Sequence, residues 1–111
     1  MARVFVINSS YHSYDKASKF GELVSITEGK VPIFKTDTVV DMVKKGLQDF
    51  SSDDYILVSG PAWLCMIVSV ILFTKHYTVK FVVFDAKEQD YIVRHLTIET
   101  LSIKEGYNVS S

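Results

Sequence analysis

The sequence predicts an α/β domain, a three-layer sandwich around a mainly parallel sheet. Three observations predict it. Apolar, β-branched runs at residues 4–7, 55–58 and 79–84 have the continuous character of parallel strands covered on both faces. Helix-like stretches separate the strands, so the elements read β-α-β-α-β-α-β-β. The 111 residues are 48% hydrophobic and 13% aromatic, enough for one domain with a buried core.

Each element has a local reason. Val4, Phe5, Val6 and Ile7 form the first strand, followed by a hydroxyl-rich loop over residues 8–14. Residues 15–20 make a short helix that ends near Gly21. Leu23 to Ile26 is a less apolar second strand, expected nearer a sheet edge. Pro32 keeps Val31 out of the helical region, so residues 31–34 are an extended connection. Thr36 and Asp37 are expected to cap a helix running to about residue 49. Its apolar residues Val39, Val40, Val43, Leu47 and Phe50 recur at helical spacing.

Tyr55 to Val58 is the third strand. Ser59 or Gly60 is expected to cap the next helix, with Pro61 in its first turn, where a missing N–H costs nothing. That helix, residues 61–75, is apolar almost all round and is expected to be the most buried. Val79 to Phe84 is the fourth strand, residues 86–90 a turn, and Tyr91 to about Ile98 a fifth strand. The short turn favours an antiparallel hairpin. Right-handed crossovers give the spatial order 2-1-3-4-5, with strand 5 antiparallel at the edge. The expected architecture is Rossmann-like, with one domain over residues 1–101 and a flexible tail over 102–111.

The bulk numbers exclude several classes. A net charge of −1 and a pI of about 6.3 do not suit a surface built for duplex DNA. The single cysteine, Cys65, excludes a disulfide framework and a cysteine zinc site within one chain. It fits a reducing, cytoplasmic setting. The first eight residues hold too short an apolar stretch for a signal peptide. Residues 55–73 carry no charge over 19 positions, but Gly60 and Pro61 divide the run and its first part is β-rich, so no membrane span is expected. Neither a phosphate-binding P-loop motif nor a G-x-G-x-x-G fingerprint is present. No cofactor is expected, and the scattered His12, His76 and His95 give no metal signature.

In the order 2-1-3-4-5 the chain switches direction between strands 1 and 3. Ligands in such sheets sit at the carboxyl ends of the flanking strands. Two loops reach that point. The first offers Asn8, Ser9, Ser10, Tyr11, His12 and Tyr14, whose amide, hydroxyls, imidazole and rings suit a phosphate, a ribose or a base. The second is Ser59, Gly60, Pro61 and Ala62, where a helix start offers backbone N–H groups to an anion. His12 is the one candidate general acid or base there. Cys65 lies a turn inside the helix, where a buried small hydrophobe is the better reading.

The topology over about residues 3–98 resembles small Rossmann-like ligand sensors, including nucleotide-sensing domains associated with CRISPR defence. The resemblance implies polar loops after strand 1 and at a later strand-to-helix turn, often across a homodimer. It carries no motif and transfers no residue role. Three functional expectations follow. The first is a binding domain for a nucleotide or other phosphate-containing small molecule. The second is a non-catalytic, homodimeric interaction or assembly protein that uses its strand 5 edge. The third, of lower weight, is a phosphodiester hydrolase using His12.

Overall fold

The computed structural model of the chain describes residues 1–9 and 13–101. Its elements are β1 (Arg3–Ser9), a 3-10 helix (Asp15–Phe20), β2 (Glu22–Glu28), α1 (Thr36–Gly46), β3 (Tyr55–Leu57), α2 (Ala62–Phe73), β4 (Thr78–Asp85), β5 (Asp90–Thr97) and the single turn α3 (Ile98–Leu101). The strands form one five-stranded sheet of order β2-β1-β3-β4-β5. β1 lies parallel to β2 and β3, β3 parallel to β4, and β5 antiparallel to β4 in an unbroken register from Thr78 opposite Thr97 to Asp85 opposite Asp90. The order and the antiparallel edge are those the sequence predicts.

Handedness distributes the layers. The path from β1 to β2 crosses the sheet one way, and the paths from β2 to β3 and β3 to β4 cross it the other way. Right-handed crossovers therefore put the 3-10 helix on one face and α1 with α2 on the opposite face. The core divides accordingly. Phe5, Ile7, Ile56, Val79 and Phe81 pack under Val39 and Val43 of α1 and Leu64, Val68 and Leu72 of α2. Val4, Val6, Leu57 and Val82 face the other way, against Ala17 of the 3-10 helix and the partly buried Tyr14 and Phe20.

Two local expectations about α1 are corrected. Thr36 and Asp37 do not cap α1: Lys35 precedes the helix and no side chain caps it. α1 also stops at Gly46 rather than near residue 49, because Gln48 bonds back to Lys45 in a tightened last turn. The expected stripe of Val39, Val40, Val43, Leu47 and Phe50 nonetheless packs in one cluster. Among the described residues α2 has more buried residues than any other helix, as expected, but one side of it is uncovered. Leu64, Ile67, Val68 and Leu72 are buried, whereas Trp63, Met66 and Val70 are exposed. α1 flanks α2 on one side only, and among the described residues no helix of comparable length covers the side towards β5. Finally, β5 ends at Thr97, and Thr100 Oγ1 turns the chain by donating to the Thr97 carbonyl at 2.7 Å. Residues 102–111, expected as a tail, lie outside the described residues. Among the described residues no helix is long and apolar enough to cross a membrane.

Candidate functional site

The carboxyl ends of β1 and β3 are neighbours, as the switch-point expectation requires. There the Asn8 amide donates to Ser59 Oγ at 3.1 Å, and Ser59 Oγ donates to the Asn8 carbonyl at 3.0 Å. One hydroxyl thus continues the sheet pairing beyond the three-residue β3. The Asn8 side chain is buried, and its Nδ2 donates to the Gly29 carbonyl at 2.9 Å in the turn after β2. Tyr14 donates its phenol proton to the Asn8 carbonyl at 3.3 Å. Ser9 and Ser25 share a 2.7 Å hydrogen bond, and Thr27 Oγ1 donates to the Ile7 carbonyl at 2.7 Å. Asn8, Ser9, Tyr14, Ser59 and Gly60 are therefore assembled at one end of the sheet. Ser10, Tyr11 and His12 lie outside the described residues.

The second loop departs from its expected role. Ser59 does not cap α2, because its hydroxyl is spent on Asn8. Pro61 itself is the residue preceding the helix, extended at φ −59° and ψ 141°, and no side chain caps α2. The Pro61 carbonyl accepts the first helical bond from Cys65 at 3.1 Å. Ala62 begins the helix, so the free donors of its first turn come from Ala62 onward. Gly60 has φ 91°, and a Cβ there would fall 2.7 Å from Asn8 Cβ. Only glycine lets the loop approach Asn8 so closely.

The described polar side chains at this end of the sheet bond within the protein. Among the described residues no buried side-chain nitrogen or oxygen lacks a partner. Cys65 is half-buried and donates to the Ser59 carbonyl at 3.5 Å. Burial pushes its thiol pKa up, the opposite of what a nucleophile needs. Among the described residues no group of three or more His, Cys, Asp or Glu could hold a metal. His76 packs edge-on against Phe50 at 5.2 Å, and His95 is exposed on β5.

Surface depressions lie elsewhere. One of about 440 Å³ sits where α1 and α2 end, lined by Lys44, Leu47, Phe50, Leu72, Lys75 and His76. Another, of about 630 Å³, adjoins it at Lys75 and His76 and runs past Ser52 and Lys80 to His95. Lys44 in the last turn of α1 and Lys75 just past α2 complement the negative ends of the two helix dipoles. A third, of about 510 Å³, has a different character. Val70, Phe73, Leu96 and Leu101 line it between α2 and the end of β5.

That apolar depression belongs to a larger surface missed by the sequence reading. Met66 is 59% exposed and Val70 68% exposed, with Trp63 beside them on α2. Val83 of β4 and Leu96 of β5 are exposed on the same face of the sheet, since they share the face of Phe81 and Val79. The only signal was the uniform hydropathy of α2, which marks the helix as apolar and does not say which side is covered.

The sheet order, the paired layers and the bonded switch point define a mixed-sheet α/β domain whose antiparallel edge strand, β5, pairs with no further strand among the described residues. The chain belongs to the Phage Pam3 gp32-like protein family, whose family model matches residues 2–98. No curated protein and no solved structure matches it.

Proposed function

We propose that this is a non-catalytic assembly protein that associates with a second copy through β5 and the apolar surface beside it. The observation that carries the reading is that the β5 edge, which pairs with no further strand among the described residues, is continuous with exposed Met66, Val70, Val83 and Leu96. Edge strands are normally blunted by lysine, proline, a bulge or short length. β5 has eight residues and no proline, carries Arg94 as its one charged residue past Asp90, and pairs with β4 without interruption. A nucleotide or phosphate ligand at Asn8, Ser9 and Ser59 has less support, because the Asn8 side chain already bonds to the Gly29 carbonyl, Ser9 to Ser25 and Ser59 to the Asn8 backbone.

Light scattering after size exclusion, across a range of concentrations, tests this. The unaltered chain is expected to form a dimer. Val70→Asp is expected to shift the population towards monomer and to keep the thermal stability of the dilute, dissociated wild type, because an exposed position tolerates the change within about 0.5 kcal/mol. A chain that stays monomeric at every concentration overturns the reading. A thermal-shift screen with mono-, di- and cyclic nucleotides provides the counter-test, since a ligand at 100 times its Kd would add about 2.7 kcal/mol.

A further inference from the structure

We infer that the two copies pair β5 with β5 in antiparallel fashion, about a two-fold axis through Val93; the inference rests on the assembly reading above. Backbone direction limits the choices. The Val82 carbonyl accepts from Val58, so Val82 turns its backbone groups towards β3. Its neighbours Phe81 and Val83 then turn theirs towards β5, where they meet Arg94 and Ile92. The groups of Tyr91, Val93, His95 and Thr97 point outward from the edge. Exposed side chains engage some of them: Asp90 Oδ1 accepts from the Tyr91 amide, the Arg94 guanidinium donates to the Val93 carbonyl, and Thr100 Oγ1 bonds both Thr97 groups. Strand pairing replaces these exposed contacts.

Only outward residues can bond to outward residues of a second copy. The axis must therefore pass through a residue and not between two. Four positions give an overlap of five residues or more. An axis through His95 matches only residues 93–97 and sets that imidazole against its own copy. An axis through Ile92 matches five residues and joins only Tyr91 with Val93 of the partner subunit, and the reverse. An axis through Arg94 sets that arginine against its own copy, where side chains approach most closely and like charges repel. An axis through Val93 matches residues 90–96 and pairs Val93 with the partner's Val93 and Tyr91 with the partner's His95. The aliphatic stem of Arg94 then lies opposite the partner's Ile92. No like charges stand opposite one another in this register.

The same operation accounts for the apolar surface. A two-fold perpendicular to the sheet continues each face into the other copy. Ile92, Leu96 and Val83 share the face covered by α2. The exposed sides of the two α2 helices then look towards each other across the joined edges, over a floor of aliphatic side chains.

Disulfide trapping tests the register. In a Cys65→Ser background, cysteine is placed singly at positions 92, 93 and 94. With the axis at Val93, the two copies of that residue lie about 5.5 Å apart at Cα, within disulfide range. Two copies of Ile92 or of Arg94 lie about 8 Å apart, beyond it. Val93→Cys is expected to give a covalent dimer under mild oxidation, and Ile92→Cys and Arg94→Cys are not. Hydrogen exchange on the unaltered chain provides a second readout. The amides of Tyr91, Val93 and His95 are expected to be protected at dimer concentrations and to lose protection on dilution. A dimer that crosslinks at 92 or 94 instead overturns the register and leaves the assembly reading standing. A dimer with neither crosslink nor edge protection overturns β5 pairing. A chain monomeric throughout overturns both.

Discussion

The backbone amide of Arg3 donates to Asp54 Oδ1 at 2.8 Å while the Arg3 guanidinium reaches Oδ2 at 3.4 Å. One carboxylate thus fastens the start of β1 to the turn that opens β3. The Ser51 amide and hydroxyl donate to the same Oδ2 at 2.9 and 3.3 Å, and the guanidinium also reaches the Asp49 carbonyl.

Burial is the largest single influence on Asp54 and pushes its pKa up. The Ser51 and Arg3 donors and the Arg3 charge together outweigh it, so the carboxyl titrates below its usual 3.8. A depressed folded-state pKa means stability that is present above the unfolded value and lost as pH falls through the folded one. Asp54→Asn is expected to cost about 1–3 kcal/mol at pH 7, the range for leaving buried partners unmatched. Urea titrations should show the gap between the two proteins narrowing below about pH 4. An equal gap at pH 7 and pH 3 would show that the charge of Asp54 is not its source.

Ser59→Ala removes both hydrogen bonds to the Asn8 backbone, and a loss of about 1–3 kcal/mol is expected. Gly60→Ala meets strain from its positive φ and from the approach to Asn8 Cβ. Its cost is expected to be at least about 1 kcal/mol. Denaturation midpoints measure both. Wild-type stability in both variants would mean that this junction is not a structural tie.

Gly46→Ala sets helix propensity against packing. Alanine in a helix gains about 1 kcal/mol over glycine. Here, though, the new Cβ would stand 2.6 Å from the Ile26 carbonyl and 2.8 Å from Ile26 Cγ2. The backbone oxygen cannot swing aside as a side chain can, so the clash wins and the variant is expected to melt lower. A higher Tm would mean that α1 shifts freely on β2.

Cys65 is expected to react with thiol reagents at neutral pH more slowly than a free cysteine, and to reach the ordinary rate in denaturant. Its raised pKa and its bond to the Ser59 carbonyl both lower the supply of accessible thiolate. Timed alkylation followed by mass spectrometry reads this directly. Fast labelling of the folded chain would show an open α2 start.

The strand order was legible because apolar runs and short connections leave few right-handed paths. The meeting of the two polar loops followed from that order. What Ser59 does was not legible locally. Its place before Gly60 and Pro61 reads as a cap, and its actual partner, Asn8, lies 51 residues away and becomes a neighbour only when β1 pairs with β3. The exposed side of α2 was hidden for a different reason. Hydropathy reports what a residue prefers, and Met66 and Val70 have the same preference as the buried Ile67 and Val68. The turn Ile98–Leu101 is too short to show a period at all.

Both long helices sit on one side of the sheet, and among the described residues the six-residue 3-10 helix, with Tyr14 before it, shuts the other. That small door hangs on Lys16, which donates to the Gln89 carbonyl at 2.7 Å, and on Lys19, 2.6 Å from Asp90. Both tethers are exposed, and such contacts hold weakly. Ala17, with no exposed surface, is its bolt. The domain is therefore asymmetric in how it breathes. Val4, Val6, Leu57 and Val82 are one hinge movement from water, while Phe5 and Ile56 stay behind two helices, so the first crack in the native fold opens on the light side.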